Sequence, residues 1–131
     1  MIFVDSGAWF AAAAVNDPDH ARAVKWLDEN RESLLTTDFV LDEVVTLLRR
    51  HRQYRRAVDV ARSLLDEEYA ALHFVEPVDV EQAVEIVEKF SDKDWSFTDC
   101  TSKVVMARLR AAQAFSFDHH FRQFGSISIV P

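Results

Sequence analysis

The chain has 131 residues, 49% of them hydrophobic, and a formal net charge of -7. That is enough apolar material for one core and too much for a disordered chain. The acidic balance excludes a protein that coats nucleic acid through bulk charge. Cys100 is the only cysteine, which excludes an internal disulfide and a cysteine-based zinc centre and makes a reduced, cytoplasmic setting the default expectation.

In chain order, Ile2-Phe3-Val4 is a short apolar strand that ends at Asp5. It has no basic leader and reads as no signal peptide. Ser6 to Val15 reads as a helix, broken at Asn16-Asp17-Pro18, with Asp17 as N-cap of a second helix from Pro18 to about Arg31. Leu34-Leu35 is a very short strand. Asp38 to Arg50 is strongly helical, with Val40, Val44 and Leu47 at i, i+4, i+7. Tyr54 to Glu67 is another helix, Ala71 to Val75 a strand, Asp79 to Phe90 a helix, and Phe97 to Ala112 a further helix. Ala114 to Phe117 is a strand ending at Asp118; His119 to Phe124 is a short helix stopped by Gly125; Ile127 to Val130 is the last strand. Strands separated by helices argue for one α/β domain, residues 1–131, with a mostly parallel sheet flanked by helices. No apolar run approaches the roughly 20 residues that span a bilayer, so no membrane is expected among its partners.

In such a sheet, ligands sit beyond the carboxyl ends of the strands, and helices begin at that same rim. Asp5 and Asp118 each end a strand. Asp99 opens a helix in Ser96-Phe97-Thr98-Asp99-Cys100, and Glu43 borders the apolar stripe of its own helix. The four acids therefore converge. Unpaired, they repel one another and their pKa values rise, a cost that a divalent cation removes. Oxygen donors without thiolates favour Mg²⁺ or Mn²⁺ over zinc. Each acid also has a plainer reading. Ser96 with Asp99 approximates a capping box, Asp118 can cap the next helix, Asp5 can serve a turn, and Glu43 can pair with an arginine. What favours a site is the conjunction on one rim. Arg49, Arg50, Arg52, Arg55, Arg56 and Arg62 concentrate positive charge in one stretch that begins two turns after Glu43, a candidate track for RNA; its plainer reading is a solvated face paired with carboxylates. Arg108 and Arg110 are candidate additions to it. Trp9, Trp26 and Cys100 read as core, and His119-His120 as surface or capping residues.

Met1-Ile2-Phe3-Val4-Asp5-Ser6, Asp42-Glu43-Val44-Val45, Trp95-Ser96-Phe97-Thr98-Asp99-Cys100 and Phe117-Asp118-His119-His120-Phe121 together resemble a PIN domain and, more narrowly, the VapC toxins of toxin–antitoxin pairs. The resemblance covers the whole chain. It implies a PIN fold and a metal-dependent endoribonuclease that hydrolyses RNA phosphodiester bonds with metal-activated water. It implies Asp5, Glu43, Asp99 and Asp118 as the acidic quartet, with Ser6 and Thr98 supporting the metal shell. Asp92 and Asp94 are alternatives for the fourth acid. It also implies a homodimer and a VapB-type antitoxin that blocks the site. The alternative is a catalytically silent PIN-like domain that binds RNA or protein, which the intact quartet disfavours. A receiver-type domain needs an acceptor aspartate ending a central strand mid-chain, where this chain is Arg-rich and helical. A haloacid-dehalogenase-type phosphatase needs Asp-x-Asp-x-Thr where this chain reads Asp5-Ser6-Gly7-Ala8.

Overall fold

Ile2, Phe3 and Val4 are almost completely buried and form β1 (Ile2–Val4), the middle strand of the sheet in the computed structural model, which describes residues 1–131. A strand buried on both faces has no polar alternation, which is why this run is wholly apolar. The other strands are β2 (Leu34–Thr37), β3 (Ala71–His73), β4 (Gln113–Phe115) and β5 (Ser128–Val130). All pairings are parallel and the order is β3-β2-β1-β4-β5. The expected single α/β domain with a parallel sheet is what forms.

Seven helices supply the crossovers: α1 (Ser6–Ala13), α2 (His20–Glu29), α3 (Asp38–Arg50), α4 (Tyr54–Leu65), α5 (Pro77–Lys89), α6 (Phe97–Arg108) and α7 (His119–Arg122). They cover both faces. Val4 pairs with Phe115, whose ring meets Trp26 of α2 at 4.2 Å between centroids. Phe3, one residue earlier and so on the opposite face, stacks on Phe121 of α7 at 6.2 Å. Phe3 is fully buried at the sheet centre. Phe3→Ala is expected to lower the unfolding free energy by about 3–5 kcal/mol, read as a shift of the urea midpoint at unchanged slope.

Element types follow the sequence expectation; several ends do not. α2 begins at His20 because the Asp17 carboxylate accepts from the Asp19 N–H (2.8 Å), closing a turn before the helix instead of capping it. α5 begins at Pro77, two residues early, because Glu76 and Asp79 form a reciprocal capping box with proline in the first turn. α6 stops at Arg108 rather than Ala112: Arg110 takes a left-handed φ of 59° and the Ala111 N–H returns to the Met106 carbonyl at 2.9 Å. β4 ends at Phe115, so Phe117 lies beyond the strand. β2 runs on through Thr36 and Thr37, both buried. Thr36 donates to the Val4 carbonyl (3.0 Å) and accepts from Trp9 Nε1 (3.2 Å), while Thr37 caps α3.

The chain builds outward from β1 to β2 and β3, then returns across the sheet to β4 and β5. The connections leaving β1 and β4 therefore run in opposite directions. The crevice beyond their carboxyl ends is the topological switch point, where parallel sheets bind ligands. Asp5 follows β1 at that crevice, and Ser116 to Asp118 follow β4.

Candidate active site

Asp5 is 4% exposed and ends its strand with the N–H bonded to the Phe115 carbonyl at 3.3 Å. Its carboxylate caps α1: Oδ1 accepts from the Ala8 N–H at 2.7 Å, and Oδ2 accepts a short hydrogen bond from Ser116 Oγ. The Ser116 hydroxyl also accepts from the Asp118 N–H at 3.0 Å, which fixes where Asp118 begins α7. Asp118 Oδ1 in turn caps that helix through the His120 N–H at 2.9 Å.

Asp99, 8% exposed, forms the expected capping box with Ser96: Ser96 N–H to Asp99 Oδ2 and Asp99 N–H to Ser96 Oγ, both 3.0 Å. The His120 ring connects the two late acids. Its Nδ1 lies 3.2 Å from Asp99 Oδ2 and 3.6 Å from Asp118 Oδ2. Ser6, first residue of α1, donates a short hydrogen bond to Glu43 Oε1. Glu43 shares a small cavity of about 180 Å³ with Asp42, Thr46, Leu47, Arg50 and Thr98. A continuous set of polar contacts thus runs from Glu43 through Ser6 to the start of α1, from Asp5 through Ser116 to Asp118, and from Asp118 through His120 to Asp99. The capping readings of Asp99 and Asp118 hold, and Asp5, read from sequence as a turn residue, accepts from the Ala8 N–H as the cap of α1. Each caps a helix because helices start at the rim where ligands bind.

The electrostatics separate this cluster from an ordinary buried ion network. Burial pushes the Asp5 carboxyl up to about 7; the bonds from Ser116 and Ala8 oppose it, and the charges of Asp118 and Asp99 add to it. Asp99 is raised as well, by burial and by Asp118, against the Ser96 N–H and His120. Elsewhere in the chain Asp79 is fully buried, yet its pKa is lowered. Burial raises it too, but the Glu76 N–H, His73 and Arg108 outweigh that, with His73 Nε2 at 3.0 Å and the Arg108 guanidinium in direct contact. A buried carboxylate that the fold means to keep charged is given a cation. Asp5 has no basic side chain among its partners, and two more acids stand beside it. Uncompensated carboxylates of this kind repel one another, a cost that a cation bound between them removes.

The arginines divide. Arg50 lines the cavity with Glu43 and Thr98. Arg49 instead lies over the Tyr54 ring (4.9 Å to its centroid) and bonds its hydroxyl at 2.9 Å. Arg52 occupies the left-handed turn between α3 and α4, with φ 58°. Arg55 and Arg56 lie in the first turn of α4, outside the cavity lining. The arginine side chains paired with carboxylates are Arg22 and Arg108, so the run from Arg49 to Arg62 is not the self-neutralised face of the plainer reading. Arg108 is removed from the track, since it is committed to Asp79 and Glu76. Asp92 is exposed and pairs with Lys93, and Asp94 is exposed, whereas Asp118 is linked to Asp5 through Ser116 and to Asp99 through His120. Sequence reasoning passed over Ser116, the one polar residue in Ala114-Phe115-Ser116-Phe117, and gave His120 no partner; the structure gives it Asp99. Trp9 and Cys100 are core, as expected.

The PIN domain family model matches residues 2–127. The 23S rRNA-specific endonuclease VapC20 of Mycobacterium tuberculosis is 31% identical over 131 residues, covering 100% of this chain and 99% of that one. The crystal structure of that protein, described as a sarcin-ricin loop cleaving toxin, superposes with a TM-score of 0.93 at 30% identity over the full length of both chains. VapBC2 of Rickettsia felis bound to promoter DNA (TM-score 0.68, 9% identity, 99% and 98% covered) shares the fold. So does FitAcB of Neisseria gonorrhoeae (0.67, 12%, 100% and 97% covered). Sheet order, the acids at the switch point and these similarities agree: the chain belongs to the PIN-domain family.

Proposed function

We propose that this chain, as one PIN domain over residues 1–131, is a divalent-metal-dependent endoribonuclease and the toxin of a toxin–antitoxin pair. The observation that carries this is the buried Asp5 carboxylate, without a cationic partner, beside Asp99 and Asp118 at the switch point. VapC20 supports ribosomal RNA as the substrate class. PIN nucleases generally depend on divalent metal, and the all-oxygen donor set favours Mg²⁺ or Mn²⁺.

Asp5 and Asp99 are the direct ligands in this reading, and Glu43 and Asp118 bind through water or position the nucleophile. An ion held by these four acids would supply Lewis acidity, making water acidic enough to serve as the nucleophile toward phosphorus. Ser6 holds Glu43, Ser116 holds Asp5 and His120 holds Asp99, so that each carboxylate keeps its orientation. Thr98 supports the shell from the cavity wall. Arg50 faces the phosphodiester backbone at the site, and Arg49, Arg52, Arg55 and Arg56 extend the positive flank. The partners are RNA, a VapB-type antitoxin and a second copy of the chain; the exposed Val84 and Val87 of α5 support an association surface. No helix is long and apolar enough to cross a membrane, and a cytoplasmic location fits an enzyme acting on ribosomal RNA.

Ribosomal RNA incubated with the protein and Mg²⁺ or Mn²⁺ is expected to yield fragments with 5′-phosphate and 3′-hydroxyl ends, and none in EDTA. Asp99→Asn keeps a capping oxygen and is expected to lower the rate at least about a hundredfold. Ends bearing 2′,3′-cyclic phosphate would overturn attack by water.

A further inference from the structure

Phe97 is the first residue of α6, two residues before Asp99, and it is 39% exposed although the residues that follow Thr98 are buried. Its position is fixed, because the Ser96–Asp99 capping box sets the entry of the helix. Across from it stands Phe39 of α3, ring centroids 6.4 Å apart and tilted by 45°. Phe39, Glu43, Thr46 and Arg50 follow one another on α3 at spacings of four, three and four, which is one stripe of a helix. The last three of them, with Thr98, line the cavity beside the acids. One stripe of α3 therefore presents Phe39, paired with Phe97, then Glu43, then Arg50, which has no carboxylate partner.

A phosphate is attracted at the arginine end and needs a metal at the acidic centre. At the Phe39–Phe97 end the nearest carboxylates along the two helices, Glu43 on α3 and Asp99 on α6, disfavour phosphate, and the rings offer no charge. The part of a nucleotide that suits it is the base, a flat uncharged surface that stacks on aromatic side chains. A base inside a duplex is already stacked on both faces and is out of reach. We infer that Phe97, backed by Phe39, is a specificity-determining residue that receives an unpaired RNA base beside the scissile phosphate. This rests on the nuclease reading for its substrate.

The test uses a labelled RNA hairpin with an unpaired loop and a fully paired RNA duplex of the same stem sequence. Binding is measured by fluorescence anisotropy with Ca²⁺ in place of Mg²⁺, for wild type, Phe97→Leu and Phe97→Trp. Phe97→Leu keeps apolar bulk and removes the ring; Phe97→Trp keeps a stacking face. Phe97→Leu is expected to weaken hairpin binding by about tenfold, with duplex binding and Ca²⁺ affinity unchanged, and Phe97→Trp to hold it at the wild-type level. Equal hairpin binding by wild type and Phe97→Leu overturns the inference. So does an equal loss on hairpin and duplex, or a wild type with no preference for the hairpin. A change in the sedimenting mass of Phe97→Leu would assign the ring to contact between copies of the chain and overturn it too. A wild-type chain that cuts no RNA in Mg²⁺ or Mn²⁺ removes the nuclease reading alone, since the hairpin comparison is decided without turnover.

Discussion

Asp5→Asn is expected to abolish metal-dependent RNA cleavage and, in the same molecule, to raise the thermal stability of the metal-free protein at pH 8. The two effects have one cause. The Asp5 carboxyl is buried without a cation and its pKa is raised from 3.8 to about 7. A raised carboxylate pKa costs nothing below pH 3.8, where both the folded and unfolded states hold the proton. The cost grows as the pH rises from there and is complete above about 7, where the folded state must give the proton up. A shift of three units corresponds to about 4 kcal/mol. Asparagine still accepts from the Ala8 N–H, but the Ser116 hydroxyl loses its acceptor at about 1 kcal/mol, so the net gain is about 3 kcal/mol. Melting curves in EDTA are expected to cross over. Wild type and variant are similar near pH 4, and the variant is more stable at pH 8. Adding Mn²⁺ reverses the order, because only wild type gains stability from the ion. Parallel curves across the pH range would mean that Asp5 is not the strained group.

Arg108→Met is expected to cost about 3–5 kcal/mol, with little change in cleavage per folded molecule. It leaves the fully buried Asp79 with His73 and the Glu76 N–H and no permanent positive charge. In a chain of this size that lowers the melting temperature by about 10 °C or more. The lowered pKa of Asp79 sets the sign. Its stabilisation is present above the ordinary carboxylate range and is lost as the pH falls through the folded value, so the gap between variant and wild type narrows in acid. Pairing Arg108→Met with Asp79→Leu removes the stranded charge and is expected to recover much of the loss, as replacement of a whole buried pair commonly does. A double variant no more stable than Arg108→Met would place the cost in the lost packing of the arginine stem.

These two carboxylates also mark what the sequence displays and what it hides. Asp5 is legible because a wholly apolar strand ends on it, and Asp99 because Ser96 three residues earlier signals a helix start at the same rim. The fold class and the quartet come from such local signals, together with a resemblance that spans the chain. Asp79 carries no comparable signal. It sits in an acidic surface-like stretch, and the cation that pairs with it, Arg108, comes 29 residues later on α6. Arg108 therefore looks like a member of the basic track until its partners are seen. The same holds for His120, whose contact with Asp99 is 21 residues distant, and for Ser116, 111 residues from Asp5. Element types survive because periodicity is local. Ends shift where turn chemistry competes, as when Asp17 closes its own turn instead of capping α2.

The sheet order has a consequence for synthesis. β1, made first, stands at the centre with β4, made near the end, at its side. Until β4 and the Ser116 that follows it leave the ribosome, Asp5 lacks the hydroxyl that holds one of its oxygens, and Asp118 and His120 are absent altogether. A chain grown only through α6 carries Asp5, Glu43 and Asp99 with no β4 beside β1. The chain therefore lacks, until its last strand-and-helix segment is made, the contacts that join Asp5, Asp118 and Asp99. The last of its acids arrives after nearly all the rest of the fold, and with it the side chain that ties that acid to Asp99.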